Sequence, residues 1–140
     1  MLTFTVPGEP VAKGRAKVST INGHVSLRTP TKTVRYESTV ALFSSRAMGS
    51  RDLFAGAVSL VVTAVFTIPK SWSQKRRAQN LVTPEFVVKR PDLDNIIKSL
   101  CDGMNGVVWV DDCQVGLTTG SKVYGEHPRV DIVVGALPCN

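Results

Sequence analysis

The sequence predicts an α+β fold, a small single domain spanning residues 1–140 in which a mixed β-sheet packs with two main helices. Three observations predict it. Two stretches, from about Lys32 to Met48 and from Asp92 to Asn105, carry apolar residues at helical spacing. Between them, residues 57–68 read AVSLVVTAVFTI, a β-branched and almost wholly apolar run suited to a buried central strand. Further β-prone segments lie near both ends of the chain. A length of 140 residues suits one domain with a sizeable core.

Residues 2–6 alternate apolar and polar and stop at Pro7-Gly8, a strand ended by a turn signal. Lys13, Arg15 and Lys17 then occupy every second position, so an extended chain points all three to one side. Asn22-Gly23 sits between short β-prone segments within residues 18–27 and signals a hairpin. Thr31 is an expected N-cap for the first helix, and Val34, Tyr36, Val40, Leu42 and Phe43 supply its apolar faces. Gly49-Ser50 closes that helix, and Pro69 ends the central strand. Residues 71–80 are polar and basic, compatible with a short helix, and lead into a segment at 81–89 with no readable pattern. The helix at 92–105 has the stripe Ile96, Ile97, Leu100, Cys101 and Met104 and stops at Asn105-Gly106. Residues 107–110 are β-prone, and residues 114–124 and 129–134 read as two final strands around a turn at 125–128.

Charge is unevenly divided. Up to residue 90 there are 14 Lys and Arg against four acidic residues; from Pro91 onward there are three against seven. The overall charge of +6 points to an anionic partner, and the local acidic excess suits delivery of a divalent cation to it. No apolar run approaches the roughly 20 residues needed to span a bilayer, and the N-terminus lacks the pattern of a signal peptide. The expected compartment is the cytoplasm, with no membrane partner. Three cysteines without a CxxC pair read as free thiols, and His24 and His127 form no local metal motif.

The acidic excess is concentrated in RPDLDNIIKSLCDGMNGVVWVDDCQV, residues 90–115. Asp92 and Asp94 flank Leu93, and in an extended chain both point to one side. A short strand at 107–110 returning from the helix brings Asp112, with Asp111 beside it, back toward the helix start. Like charges brought together in this way need a cation. Carboxylate oxygens without His or Cys favour Mg²⁺, with Mn²⁺ as a substitute. Lys98, one helical turn after Asp94, then faces a scissile phosphate or an attacking water. Each residue also has an ordinary reading: Asp at a helix start caps it, Asp111-Asp112 makes a polar turn, and Lys98 forms an i,i+4 salt bridge. Trp109 is a core candidate, and Trp72, in a basic segment, is a candidate base-stacking residue.

The RPDLDNIIK…DGMNGVVWVDDCQV signature resembles that of the RusA family of Holliday-junction resolvases, with its K/R-P-D-x-D-N-x-x-K, D-A-L-N-G and D-D-x-Q-I/V blocks. FTVPGEPVAKGRAKVS, LRTPTKTVRYESTV, IPKSWSQKRRAQN and KVYGEHPRVDIVV are similar to other family segments, so the resemblance covers nearly the whole chain. Residues 82–88 depart from it by lacking the Gly and His common there. Ala16-Lys17 replaces the usual Pro-Arg, and Cys113 stands where Ser or Glu is commoner.

The resemblance implies a homodimeric, Mg²⁺-dependent endonuclease with a RusA-like α+β fold that cuts four-way DNA junctions by paired nicks. It puts the catalytic carboxylates on Asp92, Asp94 and Asp112, with Asp111 as a neighbouring ligand and Lys98 as the essential lysine. Lys13, Arg15, Lys17, Lys75, Arg76, Arg77, Arg90 and Lys122 are candidates for DNA phosphate contacts. Two alternatives stand beside junction resolution: a non-catalytic, structure-selective nucleic-acid-binding module, and a flap or branch nuclease of wider scope.

Overall fold

The computed structural model describes residues 1–139. In chain order the elements are β1 (Leu2–Pro7), β2 (Lys17–Ile21), β3 (His24–Arg28), α1 (Thr31–Met48), β4 (Val58–Thr67), α2 (Gln74–Val82), α3 (Leu93–Met104), a 3-10 turn (Asp112–Gln114), β5 (Val115–Gly125) and β6 (Arg129–Ala136). Four strands form one mixed sheet in the order β1-β6-β4-β5. β4 runs parallel to β5 and antiparallel to β6, and β6 runs antiparallel to β1. The α+β class, the mixed sheet and the two main helices are as the sequence predicts, with α2 as a third, shorter helix.

One face of the sheet is apolar because side chains alternate along each strand. Leu2, Phe4 and Val6 of β1, Val130, Ile132 and Val134 of β6, and Val58, Leu60, Val62 and Ala64 of β4 are buried there. Their core continues into Tyr36, Val40 and Met48 of α1 and Ile96, Leu100 and Met104 of α3. The two helices pack closely at Gly103. A Cβ built there would lie 2.8 Å from Val40 Cβ and 2.9 Å from the Glu37 carbonyl oxygen. Trp109 is fully buried, as expected for a core residue, and its indole N–H donates to Asn105 Oδ1 at 2.7 Å.

Several local expectations differ. Thr31 is not the cap of α1; Pro30 occupies that position and no side chain caps the helix. α2 ends two residues later than residue 80 and is capped by Ser73, whose hydroxyl accepts from the Arg76 N–H. Lys13 and Arg15 precede β2, and of the three only Lys17 lies within a strand. β2 and β3 do pair as a hairpin around Asn22-Gly23. Their apolar residues Val18, Val25 and Leu27 are all exposed, so the ribbon buries none of that face.

The clearest correction concerns residues 107–110. They form a turn, not a strand, with only isolated bridges at Trp109. Gly106 takes a positive φ of 74°, and its N–H bonds the Trp109 carbonyl at 2.7 Å. Burial of the Trp109 ring thus outweighs the β-preference of Val107, Val108 and Val110. Residues 85–87, unreadable in the sequence, cover the outer edge of β5. The Val87 N–H bonds the Lys122 carbonyl and the Tyr124 N–H bonds the Glu85 carbonyl, at 2.9 and 3.0 Å.

Candidate active site

Helix α3 carries three of the expected site residues. Asp92 is its N-cap residue, though its side chain accepts no capping hydrogen bond, and Asp94 lies in the first turn. Asp94 is therefore helical, and the extended-chain argument for a common side with Asp92 does not hold. Lys98 follows one turn later and Asp102 one turn after that. α3 lies on β5 at Gly120, where a Cβ would come within 3.0 Å of Ile97 Cδ1 and 3.3 Å of Leu93 Cδ2.

Asp112 meets α3 from the other end of the motif, at Lys98. Its turn is self-capped: the Asp111 carboxylate accepts from the Cys113 N–H at 2.9 Å, and Gln114 Oε1 accepts from the Val110 and Asp111 N–H groups at 2.9 and 3.3 Å. The Gln114 amide also donates to the carbonyls of Phe54 and Gly56, at 2.8 and 2.9 Å, tying the turn to the body of the fold.

The Lys98 ammonium joins the two ends. It donates to Asp112 Oδ2 at 3.0 Å and to Asp102 Oδ1 at 3.1 Å. Asp102 in turn receives Lys13 at 2.9 Å, and Lys13 reaches Glu37 of α1 at 2.6 Å. Charges thus alternate from Glu37 through Lys13, Asp102 and Lys98 to Asp112. The hydrogen bond to Asp112, then that to Asp102, raises the Lys98 pKa despite some burial. Burial works against the Asp102 charge, but hydrogen bonds from Lys13 and Lys98 outweigh it and hold its pKa below the usual carboxylate range. Asp111 is also lowered, first by the Cys113 N–H and then by the side chains of Cys113 and Asp112. The exposed Cys113 thiol is raised by its contact with Asp111, and burial pushes the Cys101 thiol up to about 12.

The sequence leads one to expect three or four carboxylates to converge. Among the described residues, no three His, Cys, Asp or Glu side chains are grouped closely enough to hold a metal ion. At Asp112 the counter-charge comes from Lys98, 3.0 Å away. The donor chemistry still fits a hard divalent cation: Asp92, Asp94 and Asp111 are exposed, Asp112 is half-buried, and no histidine stands nearby in sequence.

Beside Asp92 lies an open groove of about 600 Å³ lined by Ala12, Arg15, Arg90, Pro91, Asp92 and Asn95. The segment before Arg15 is strapped across α3. The Lys13 N–H bonds the Asn95 carbonyl at 2.8 Å, and the Ser99 hydroxyl bonds the Val11 carbonyl at 2.6 Å. Two arginines thus flank a carboxylate, an arrangement able to seat a phosphate at the edge of the aspartates.

The eight basic candidates divide into two groups. Arg15, Lys17, Lys75 and Arg90 are exposed and have no carboxylate partner among the described residues. The other four have internal partners. Lys13 bridges Glu37 and Asp102, and Arg76 forms a two-point pair with Glu85 at 2.9 and 2.7 Å. Arg77 donates to the carbonyls of Pro69 and Trp72 at 2.9 and 3.3 Å. Lys122 donates to the carbonyls of Lys89 and Pro91, both at 2.8 Å. Trp72 is likewise engaged: the Arg76 guanidinium sits 3.7 Å from its ring centroid, and the Tyr124 ring meets it edge-on at 4.9 Å. These contacts occupy a ring otherwise suited to base stacking.

Sequence reasoning missed Asp102 and Gln114 as site-building residues. Both left a signal. Asp102 is four residues after Lys98, an ion-pair spacing on a helix. Gln114 is three residues after Asp111, the spacing of a capping box. The link from Lys13 to Asp102 left none, because it joins distant parts of the chain.

The sequence model of the family described as "Endodeoxyribonuclease RusA" matches residues 7–135. The chain is also similar to the "Uncharacterized protein YqaN" of Bacillus subtilis (strain 168), at 35% identity over 135 residues covering 95% of this chain and 94% of the relative.

Proposed function

The chain belongs to the RusA family of endodeoxyribonucleases, and from that premise we propose that it is a divalent-metal-dependent nuclease of four-way DNA junctions. The observation that carries this reading is the Lys98–Asp112 contact at 3.0 Å, which ties the middle of α3 to the Asp111–Asp112 turn, while an arginine-lined groove lies beside Asp92 at the start of the same helix. Asp92, Asp94 and Asp112 would hold the cation, Mg²⁺ or Mn²⁺, with Asp111 as a neighbour. When bound, such an ion lowers the pKa of a water and neutralises charge on the phosphate oxygens.

The protein's own groups supply the rest. Lys98 keeps Asp102 as a partner when Asp112 turns to a cation, so its ammonium stays at the site. There it stabilises the negative charge that grows on the phosphate in the transition state. Arg15 and Arg90 hold the flanking phosphates, and Lys17 and Lys75 extend the basic surface. The expected products carry 5′-phosphate and 3′-hydroxyl ends. Symmetric incision of a four-way junction requires two sites related by a two-fold axis, which a homodimer supplies.

The test is cleavage of a mobile four-way junction, beside linear duplex and flap controls, with Mg²⁺ and with EDTA. Paired symmetric nicks in the junction alone, abolished by EDTA and by Asp92→Asn, are expected. Equal cutting of flaps moves the reading to a branch nuclease of wider scope. Tight binding without cutting in Mg²⁺ or Mn²⁺ moves it to a binding module.

A further inference from the structure

We propose that Lys122 is a positioning residue of the active site, not a phosphate contact: its ammonium clamps the loop that sets where Asp92 sits. The inference rests on the reading above, in which Asp92 is a metal ligand. Lys122 lies within β5, paired in register with Ala64 of β4. Paired residues share a sheet face, and Ala64 belongs to the buried, helix-covered side. Two residues earlier on that side is Gly120, against which Leu93 and Ile97 of α3 pack. The Lys122 side chain thus leaves the sheet beside the start of α3.

There it meets carbonyls. The ammonium donates to the Lys89 and Pro91 oxygens at 2.8 Å each, so two of its three donors are spent on either side of Arg90. The backbone of the same residue accepts from Val87 N–H at 2.9 Å. One residue therefore holds the chain at 87, 89 and 91, the last step before Asp92. Among the described residues no carboxylate pairs with Lys122. Its charge is met by carbonyl dipoles alone, and moving it to a DNA phosphate would release both ends of the clamp.

Outer residues that orient metal ligands typically change metal affinity or activity by about 10- to 100-fold when removed. Lys122→Met keeps the apolar stem and removes the donors; Lys122→Arg keeps a cation with several donors. The first measurement is Mn²⁺ binding to the intact protein without DNA, by calorimetry. The second is affinity for an uncut junction in EDTA across a salt series, and the third is single-turnover nicking in Mg²⁺. A loss in Mn²⁺ affinity and nicking rate of about 10-fold or more is expected for Lys122→Met, with junction affinity and salt slope unchanged and substantial recovery in Lys122→Arg. If Lys122→Met does not fold, Lys122→Gln, whose shorter amide can serve one carbonyl, takes its place with a smaller loss expected. Full Mn²⁺ affinity and nicking rate, with a salt slope smaller by about one, would make Lys122 a phosphate contact and overturn the proposal. Failure of the wild-type protein to bind Mn²⁺ or to nick would overturn the nuclease reading first, and this inference with it.

Discussion

Replacing Gly103 by alanine sets two opposing terms against each other. In a helix interior, alanine is favoured over glycine by about 1 kcal/mol. The new methyl, however, would lie 2.8 Å from Val40 Cβ and 2.9 Å from both Val40 Cγ1 and the Glu37 carbonyl oxygen. Ordinary carbon contacts lie at about 3.5–4.0 Å, so α1 and α3 must separate by roughly 0.7 Å or more. Backbone atoms and the Cβ of a valine cannot swing aside as the end of a long side chain can. The strain therefore belongs at the upper end of the overpacking range, about 3 kcal/mol. The net expectation is a loss of about 2 kcal/mol, or roughly 4–8 °C in melting temperature for a chain of this size. Urea denaturation should show a lower midpoint at unchanged m-value. Ser45→Ala on the exposed face of α1 is the control, where propensity acts alone and a gain of roughly half a kcal/mol is expected. An equal or higher stability for Gly103→Ala would show that the helices are not in close contact there. The Lys13 bridge between Glu37 and Asp102 would then lose its geometric basis.

Asp92→Asn should abolish nicking while junction binding is retained or strengthened, because a negative charge leaves the phosphate groove; a gel-shift and a cleavage assay on the same preparation check both. Trp109→Phe should cost about 1–3 kcal/mol, since it leaves Asn105 Oδ1 without its donor and a void in a fully buried site; chemical denaturation measures it. Asp102 has a folded pKa below the ordinary carboxylate value, so its contribution is complete above about pH 4 and is lost as pH falls through the lowered folded value. Denaturation midpoints from pH 6 to pH 2 should fall less steeply in Asp102→Asn than in the wild-type protein, and identical slopes would remove the Lys13–Asp102–Lys98 network as the cause. Arg90→Ala should weaken junction binding and lower its salt slope by about one, whereas Arg77→Ala, which loses contacts to carbonyls, should lower stability and leave the slope unchanged.

Much of the fold was legible because its signals are local. The period-two pattern of β1, the apolar run of β4 and the helical stripe of α3 each follow from which side of an element must be dry. The Asn22-Gly23 hairpin follows from turn chemistry, and Trp109 reads as core from its apolar setting. The turn at 107–110 was not legible, since its valines favour a strand and only the burial of Trp109 overrules them. At α1 the cap differs by one residue: Thr31 has the right chemistry but is already the first helical residue, and Pro30 before it has no side-chain acceptor.

At the site, residue types and spacing already marked the acidic motif, its lysine and the excess of basic charge before it, because carboxylates and cations advertise their chemistry wherever they sit. Which cations are already engaged within the fold could not be read in the same way. Arg15 and Arg90 line the groove, while Lys13, Arg76, Arg77 and Lys122 bind carboxylates or carbonyls brought to them by other segments. A lysine in a sequence is a charge on a flexible stem, and its partner depends on what the folded chain places within its reach. Lys98 is the plainest case. Its helix could be foreseen, but its contact with Asp112 required the 106–111 turn to close, and that turn closes around a buried tryptophan.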